Sequence, residues 1–432
     1  MYKCFKLQLC PTESDIAILE SQSRIAHTLY NKLLDSVKLE IDFFKTNNIK
    51  NKFNPFNSFD LRNQVPLIKK ESPVFCTLYS SIAKNVSFRL SDGINRFLDC
   101  RKHPERYPNT VGFPKFRSWK RKGFFSMKYE DPMVGYKIKD NKLLLSFGKD
   151  IEGKRIKIEV SFNRTFKLDL KTICTLEIIK RKGKYFACFA CKVPDLEKKP
   201  IKRIIAFDPN HKNLAVGYSS NQESIEIQNL YYQKIFDKRI DAIKSKRDQY
   251  NKGSRRWIYL NQRISRLETV QREQIKVGLR TISNVLCADY DLIAVGDYIP
   301  SKGKYKQMNR AMLNQTHIGE FRRILEHTCN RSGKHYMAYD EYRTTKTCSA
   351  CGFVGNSLDP SVREWTCEAC GEFHLRDENA AQNGYRIITK EKQLPCSGHL
   401  DILSRWTLRF NGQTLKRKEI KTKDANFGSK ST

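Results

Sequence analysis

The sequence predicts a multidomain α/β protein with a helical opening, a strand-rich middle and an α/β second half interrupted by a metal-binding knuckle. Three observations carry that prediction. The chain has 432 residues, enough for about three ordinary domains. At Lys202 its pattern shifts from hairpin-like strands to strands alternating with long helices. Two tight cysteine pairs lie late in the chain, separated by fifteen residues.

Composition narrows the function classes. The chain carries 80 Lys and Arg against 46 Asp and Glu, a formal charge of +34. Such an excess repels itself in a compact state unless a polyanion neutralises it, so nucleic acid is the expected partner. A hydrophobic content of 39%, with 11% aromatic residues, excludes a disordered basic tail. The opening Met1-Tyr2-Lys3-Cys4-Phe5-Lys6 has no apolar leader core, and no window nears the roughly 18 apolar residues that cross a bilayer. The expectation is an intracellular protein without membrane contact. Ten of the fourteen cysteines are scattered or lie in apolar runs, as suits reduced thiols.

The elements follow in order. Residues 2–9 alternate as a strand, and Pro11-Thr12-Glu13-Ser14 opens a helical pattern through Ile18, Leu19, Ile25, Leu29, Leu33 and Leu34. Helix continues to about residue 100, with Asn- and Pro-rich breaks near 47–66. From Phe113 to Lys122 bases mix with aromatics, and strand-like runs at 135–148, 154–162, 166–180 and 184–193 predict a β-barrel or open sheet. After Lys202 come strands at 203–207, 214–218 and 224–228, basic helices to about 286, a strand at 291–295, a helix at 318–330, a strand at 334–339 and a helix from Glu378. Three strands, helix, strand, helix, strand, helix is the order of an RNase H-type fold. The last 35 or so residues are polar and predict a mobile tail.

Cys348-Ser349-Ala350-Cys351 and Cys367-Glu368-Ala369-Cys370 have the spacing at which two knuckles deliver four thiolates to one tetrahedral Zn²⁺. Four cysteines leave no open coordination position, so this metal folds the loop and does not catalyse. Cys188 and Cys191 sit three apart in a strand-like run and face opposite ways, which reads as packing. Asp208 ends the strand 203–207, where an RNase H-type nuclease holds its first metal ligand and where a turn-capping Asp is equally at home. Asp377, in Leu375-Arg376-Asp377-Glu378-Asn379-Ala380-Ala381, is likewise consistent with a helix cap until its place just after the knuckle is weighed.

Together these pieces resemble the TnpB family of transposon-encoded RNA-guided nucleases, their Fanzor relatives and the compact type V CRISPR effectors. The matching residues are Phe207-Asp208-Pro209 with Lys212-Asn213-Leu214-Ala215, Tyr290 to Val295, Gly319-Glu320-Phe321, Thr344 to Gly352, Cys367 to Gly371, and Arg376-Asp377 with Asn379-Ala380-Ala381. Tyr30-Asn31-Lys32-Leu33-Leu34 and Phe113-Pro114-Lys115-Phe116 extend the likeness towards the start of the chain. The resemblance implies a wedge β-barrel from residues 1–10 and 120–198, with a helical recognition domain at 11–119 inserted between them. It also implies a RuvC nuclease domain from 199–342 and 373–395, a zinc knuckle at 343–372 and a basic tail at 396–432.

One position departs from the family pattern. The family's strand matching 291–295 ends in a catalytic glutamate, and here Gly296 stands there, followed by Asp297. The neighbouring strand ends at Tyr339-Asp340-Glu341-Tyr342, and strands about 4.8 Å apart let a long side chain reach across. Fanzor proteins are similar in carrying a glutamate in this place, so Glu341 is the expected replacement. Asp297 and Asp340 alternate to the opposite face. The resemblance then implies that Asp208, Glu341 and Asp377 gather two Mg²⁺ ions about 3.5–4 Å apart for phosphodiester hydrolysis, with Asp208 bridging them.

Partners follow from the same likeness: a guide RNA, and a target double-stranded DNA read by base pairing beside a short adjacent motif, with the protein a monomer in the ribonucleoprotein. Expected nucleic-acid contacts are Lys115, Arg117, Trp119, Lys120, Arg121 and Lys122, with Arg255 and Arg256 lining a channel. Lys84 and Asn85, with Arg89 and Arg96, are expected near the adjacent motif. In a eukaryotic host the protein would be nuclear. The competing reading from another class is a nuclease-inactive, RNA-guided DNA-binding repressor, which Gly296 supports.

Overall fold

The computed structural model describes residues 2–47, 54, 56–107, 109–166, 170–194, 196–210, 212–230, 232–299, 316–356, 359, 361–396 and 398–420. They fall into two compact units, Met1–Pro194 and Asp195–Thr432. No helix among the described residues is long and apolar enough to cross a membrane.

The first unit begins with β1 (Tyr2–Cys10), followed by α1 (Glu13–Asn47), α2 (Ser58–Glu71) and α3 (Ser80–Lys102). Thr12 starts α1: its hydroxyl donates to Asp15 Oδ2 (2.7 Å) and accepts from the Asp15 N–H (3.2 Å). The break expected at 47–66 is shorter where described, because Asn57 caps α2 and Pro66 is accommodated inside it. A one-turn helix α4 (Trp119–Lys122) precedes β2 (Met127–Tyr129), β3 (Tyr136–Lys139), β4 (Lys142–Lys149), β5 (Arg155–Phe162), β6 (Ile173–Arg181) and β7 (Lys184–Lys192). These strands form a seven-stranded antiparallel sheet in the order β2-β6-β7-β1-β5-β4-β3, with β2 and β3 outermost. Alternate residues such as Leu143, Leu145 and Phe147 on β4 enter the core shared with Leu29, Leu33 and Leu34 of α1.

The second unit runs β8 (Ile204–Pro209), β9 (Ala215–Ser219), β10 (Glu223–Ile227), α5 (Tyr232–Arg247), α6 (Arg255–Asp289), β11 (Leu292–Gly296), α7 (Ile318–Arg331), β12 (His335–Tyr339), the short hairpin β13 (Glu364–Thr366) and β14 (Phe373–Leu375), then α8 (Arg376–Glu391), β15 (Ser404–Phe410) and β16 (Leu415–Glu419). Its main sheet has the order β12-β11-β8-β9-β10-β15-β16. Strands β8, β9 and β10 are antiparallel neighbours, and β11 and β12 add on parallel to β8. The element order expected after Lys202 is present up to α8.

The tail differs from expectation. Residues 404–419 form two strands, β15 pairing parallel with β10, and Leu408 and Phe410 are buried. The alternation of Trp406, Leu408 and Phe410 was masked by interleaved Thr407 and Arg409 and by the charged strand that follows, the composition of a guarded sheet edge. The residues 421–432 of that expectation lie outside the described ones.

Both faces of this sheet are covered. Ile205, Phe207, Ile293 and Val295 pack with α6 and α7, while Ile204, Ala206, Leu292 and Ala294 pack with Ala381, Tyr385 and Ile388 of α8. The period of two therefore places Asp208, Gly296 and Glu341 on the α8 face, in step with Ala206, Ala294 and Tyr339. Gly384 of α8 lets the Tyr339 ring lie against the helix backbone, and the Tyr339 hydroxyl donates to the Phe207 carbonyl (2.9 Å).

Candidate carboxylate site and cysteine centre

The parallel trio β8, β11 and β12 ends in register, with Val295 beside Phe207 and Gly296 beside Tyr339. Ligand sites in such sheets form outside the carboxyl ends of parallel strands, and Asp208 and Glu341 stand there. Asp377 arrives from the first turn of α8, which packs on the same face. Burial, then the charges of Glu341 and Asp377, push the Asp208 carboxyl far above its ordinary range. Asp208 thus has both Glu341 and Asp377 as charged neighbours.

Gly296 is the space Glu341 occupies. A Cβ built on Gly296 would fall inside the Glu341 side chain, meeting its carboxyl carbon, Cγ and Oε1. The space beside Gly296 on β11 is thus filled by a side chain arriving from the end of β12. Burial lifts the Glu341 carboxyl to about 7, against the pull of Arg322, whose Nη2 is 3.9 Å from Oε1. Glu341 Oε1 is buried and has no hydrogen-bond partner. Asp297 stays exposed and accepts from the Glu341 N–H (3.4 Å), and exposed Asp340 accepts from the Tyr342 N–H (2.8 Å).

A buried carboxylate oxygen without a hydrogen-bond partner, beside a carboxylate raised by burial and then by like charge, is chemistry that suits a cation. Three hard oxygen donors fit Mg²⁺.

The sequence did not reveal the groups around these acids. Arg363 Nη1 donates to both oxygens of Asp377 (3.2 and 3.1 Å), and the buried Asn210 amide donates to Asp377 Oδ2. Arg322 donates to the carbonyls of Gly296 and Tyr298, closing the end of β11. Glu226 on β10 lies in one row with Val216 and Asp208 across three strands; burial, then Asp377 and Glu378, raise its carboxyl. All four depend on tertiary approach and carry no local spacing signal.

The four predicted cysteines come together. Cys348 and Cys370 Sγ are 3.7 Å apart, as are Cys351 and Cys367 Sγ, and all four sulfurs lie within 4.8 Å of one another. A tetrahedron with metal–sulfur bonds of about 2.3 Å has edges of about 3.8 Å, which the two 3.7 Å pairs match, so the four sulfurs fit a Zn²⁺ site. Each knuckle closes the same way: Gly352 and Gly371, at φ +79° and +74°, donate to the carbonyls of Cys348 and Cys367 (both 2.9 Å). Buried His374 places Nε2 3.0 Å from Cys348 Sγ and lies tilted against the Trp365 ring at 4.7 Å, an outer contact the spacing did not disclose.

The predicted nucleic-acid contacts divide. Lys115, Lys120, Arg121, Lys122, Arg255 and Arg256 are exposed. The others make contacts within the protein. Arg117 lies over Phe125 and Tyr30 and is clasped through its backbone by Asn31. Trp119 sits under Arg24 at 4.3 Å with its indole N–H buried. Asn85 is 8% exposed, and Lys84 pairs with Glu130 at 2.8 Å. Interleaved bases and aromatics serve cation–π packing as readily as base stacking.

Comparison with known proteins gives the relatives of the chain and of its fold. Residues 319–384, which span Glu341, the four cysteines and Asp377, match the family described as Cas12f1-like, TNB domain. The chain is 23% identical over 413 residues to the TnpB-like protein L79 of Acanthamoeba polyphaga mimivirus, covering 89% of this chain and 73% of that one. Over 65 residues it is 43% identical to a putative RNA-guided DNA endonuclease of Streptomyces pristinaespiralis, 15% of this chain and 16% of the other. In fold it is similar to the protein of a Cas12f1-sgRNA-target DNA complex, with a TM-score of 0.59 at 14% identity over 86% of this chain and 82% of that one.

Proposed function

This is a TnpB-like chain, and from that premise we propose that it is an RNA-guided DNA endonuclease: a bound guide RNA finds a complementary duplex beside a short adjacent motif, and a RuvC-type site hydrolyses phosphodiester bonds. The observation that carries the proposal is the Glu341 carboxylate lying over Gly296, beside the buried Asp208. It supplies the acid that position 296 lacks, and it favours a Fanzor-like variant of the site.

In this reading Asp208, Glu341 and Asp377 hold two Mg²⁺ ions. When bound, the ions supply an activated water and charge stabilisation at the phosphate. The chain's own groups prepare the site. The Tyr339 hydroxyl and strand register fix where Asp208 leaves β8, and Arg322 holds the end of β11 and part of the Glu341 charge. Arg363 and Asn210 aim Asp377. Cys348, Cys351, Cys367 and Cys370 hold a structural Zn²⁺ that shapes the knuckle. The first sheet acts as the wedge and α1–α3 as the recognition domain. Lys115, Lys120, Arg121, Lys122, Arg255 and Arg256 contribute to holding guide and target.

The test is to purify the protein with its native flanking locus, sequence the RNA that accompanies it, and offer a matched duplex with and without Mg²⁺. Mg²⁺-dependent cleavage that Glu341→Ala abolishes, with duplex binding retained, is expected. Guided binding with no cleavage by the wild type would leave the repressor reading, which Gly296 favours when taken alone.

A further inference from the structure

Between Glu341 and Cys348 the chain has neither helix nor strand, yet it joins a carboxylate to a cysteine ligand over seven residues. Its shape is imposed from α8. The Asn379 amide donates to the carbonyls of Thr344 (3.3 Å) and Thr347 (2.9 Å), and the Asn383 amide, one turn later, donates to the same two (2.8 and 2.7 Å). Asn379 Oδ1 accepts from the Ser349 N–H (2.8 Å), and the Ser349 hydroxyl donates to Gln382 Oε1 (2.7 Å). At the other end, the Thr344 N–H and hydroxyl both donate to the Glu341 carbonyl (3.1 and 3.0 Å). Asn379, Asn383 and Thr344 are all buried.

We infer that Asn379, Asn383 and Thr344 form a brace through which the four-cysteine centre sets the separation of Glu341 from Asp377, making them positioning residues for the divalent-ion site. The inference rests on the reading that those carboxylates hold the ions. Asp377 lies two residues before Asn379 on the same helix, and Glu341 lies three before Thr344 on the braced segment. Each carboxylate is thus anchored to one side of a single set of buried amide bonds. Tyr339 against Gly384 fixes the end of β12 on α8, and beyond that strand end the amide bonds are what hold the segment to the helix. Buried amide donors are costly to leave unmade, which makes the arrangement stiff. The segment's far end is Cys348, so a filled cysteine cage holds the brace from one side and α8 from the other.

The experiment titrates Mn²⁺ into the full-length protein with its copurified RNA, read by electron paramagnetic resonance, while zinc content is measured on the same samples. Asp208→Ala defines the carboxylate-dependent signal. Asn383→Leu, close in volume and without donors, is expected to raise the Mn²⁺ midpoint about tenfold with zinc content at the wild-type value. Thr344→Val deletes only the hydroxyl bond to the Glu341 carbonyl and keeps the amide contacts, and it is expected to raise the midpoint about threefold. It decides the matter if Asn383→Leu does not fold. Wild-type midpoints in both variants, or in Thr344→Val alone when the other is insoluble, would overturn the brace. A wild type without Asp208-dependent Mn²⁺ binding would instead remove the ion-site reading, and the brace with it.

Discussion

The two ends of the β8-β11-β12 trio carry buried acids under opposite arrangements. At the amino-terminal end Asp291 is satisfied: Lys334 Nζ lies 2.7 Å from Oδ1, and the N–H groups of Lys202 and Arg203 donate to Oδ2 (3.1 and 3.0 Å). Burial opposes ionisation there, but Lys334 and the backbone donors outweigh it and bring the carboxyl to about 2. At the carboxyl-terminal end burial prevails, and Asp208 and Glu341 rise. The same sheet thus pairs one acid with a lysine and, at Glu341, lets burial outweigh the pull of Arg322. Carboxylates raised in this way are what the proposed ion site would need, since a bound cation would favour their charged forms.

The largest effect should separate the ends by readout. Glu341→Ala is expected to lower guided, Mg²⁺-dependent cleavage on the order of a thousandfold with little change in unfolding temperature. Asp291→Asn should do the reverse, costing about 3 kcal/mol by stranding Lys334 while leaving cleavage per folded molecule unchanged. Equal losses of cleavage from both would break the contrast.

Gly296→Ala comes next. Its Cβ would displace Glu341, so cleavage should fall about a hundredfold. Gly296→Glu combined with Glu341→Ala should recover part of the loss, a non-additivity measured by a double-mutant cycle.

The pH dependence of metal-free unfolding should then carry opposite signs. Glu341 binds its proton more tightly folded than unfolded, so its contribution is present at low pH and lost as pH rises from about 4.5 to about 7. Asp291 contributes above its ordinary value of 3.8, and that stability is lost as pH falls towards about 2. Glu341→Gln should flatten the upper window and Asp291→Asn the lower. Smallest of all, Arg322→Gln should move the pH midpoint of Mn²⁺ binding upward by roughly half to one unit, since Arg322 favours the charged glutamate.

What the sequence disclosed and what it hid follow one physical line. The cysteine spacing was legible because two short local turns bring each pair of sulfurs together. Glu341 was legible because alternation along β12 and the gap at Gly296 are both local patterns, once the strands are taken as neighbours. Arg363, Asn210, Arg322 and His374 were not, since each reaches its partner across a fold that their own surroundings in sequence do not encode. The ring contacts of Trp119 and Arg117 were hidden for a related reason: composition reports which side chains are present, and only packing reports what their faces lie against.

The pairing of β15 with β10 has a practical consequence. Arg405 on β15 donates to both oxygens of Glu378 (2.9 and 3.0 Å), the residue after Asp377. Shortening the chain at residue 396, as its polar composition invites, would bare the β10 edge to strand addition by other molecules and loosen the first turn of α8. Such a product would be prone to self-association and slow to cut, and both faults would trace to the deletion.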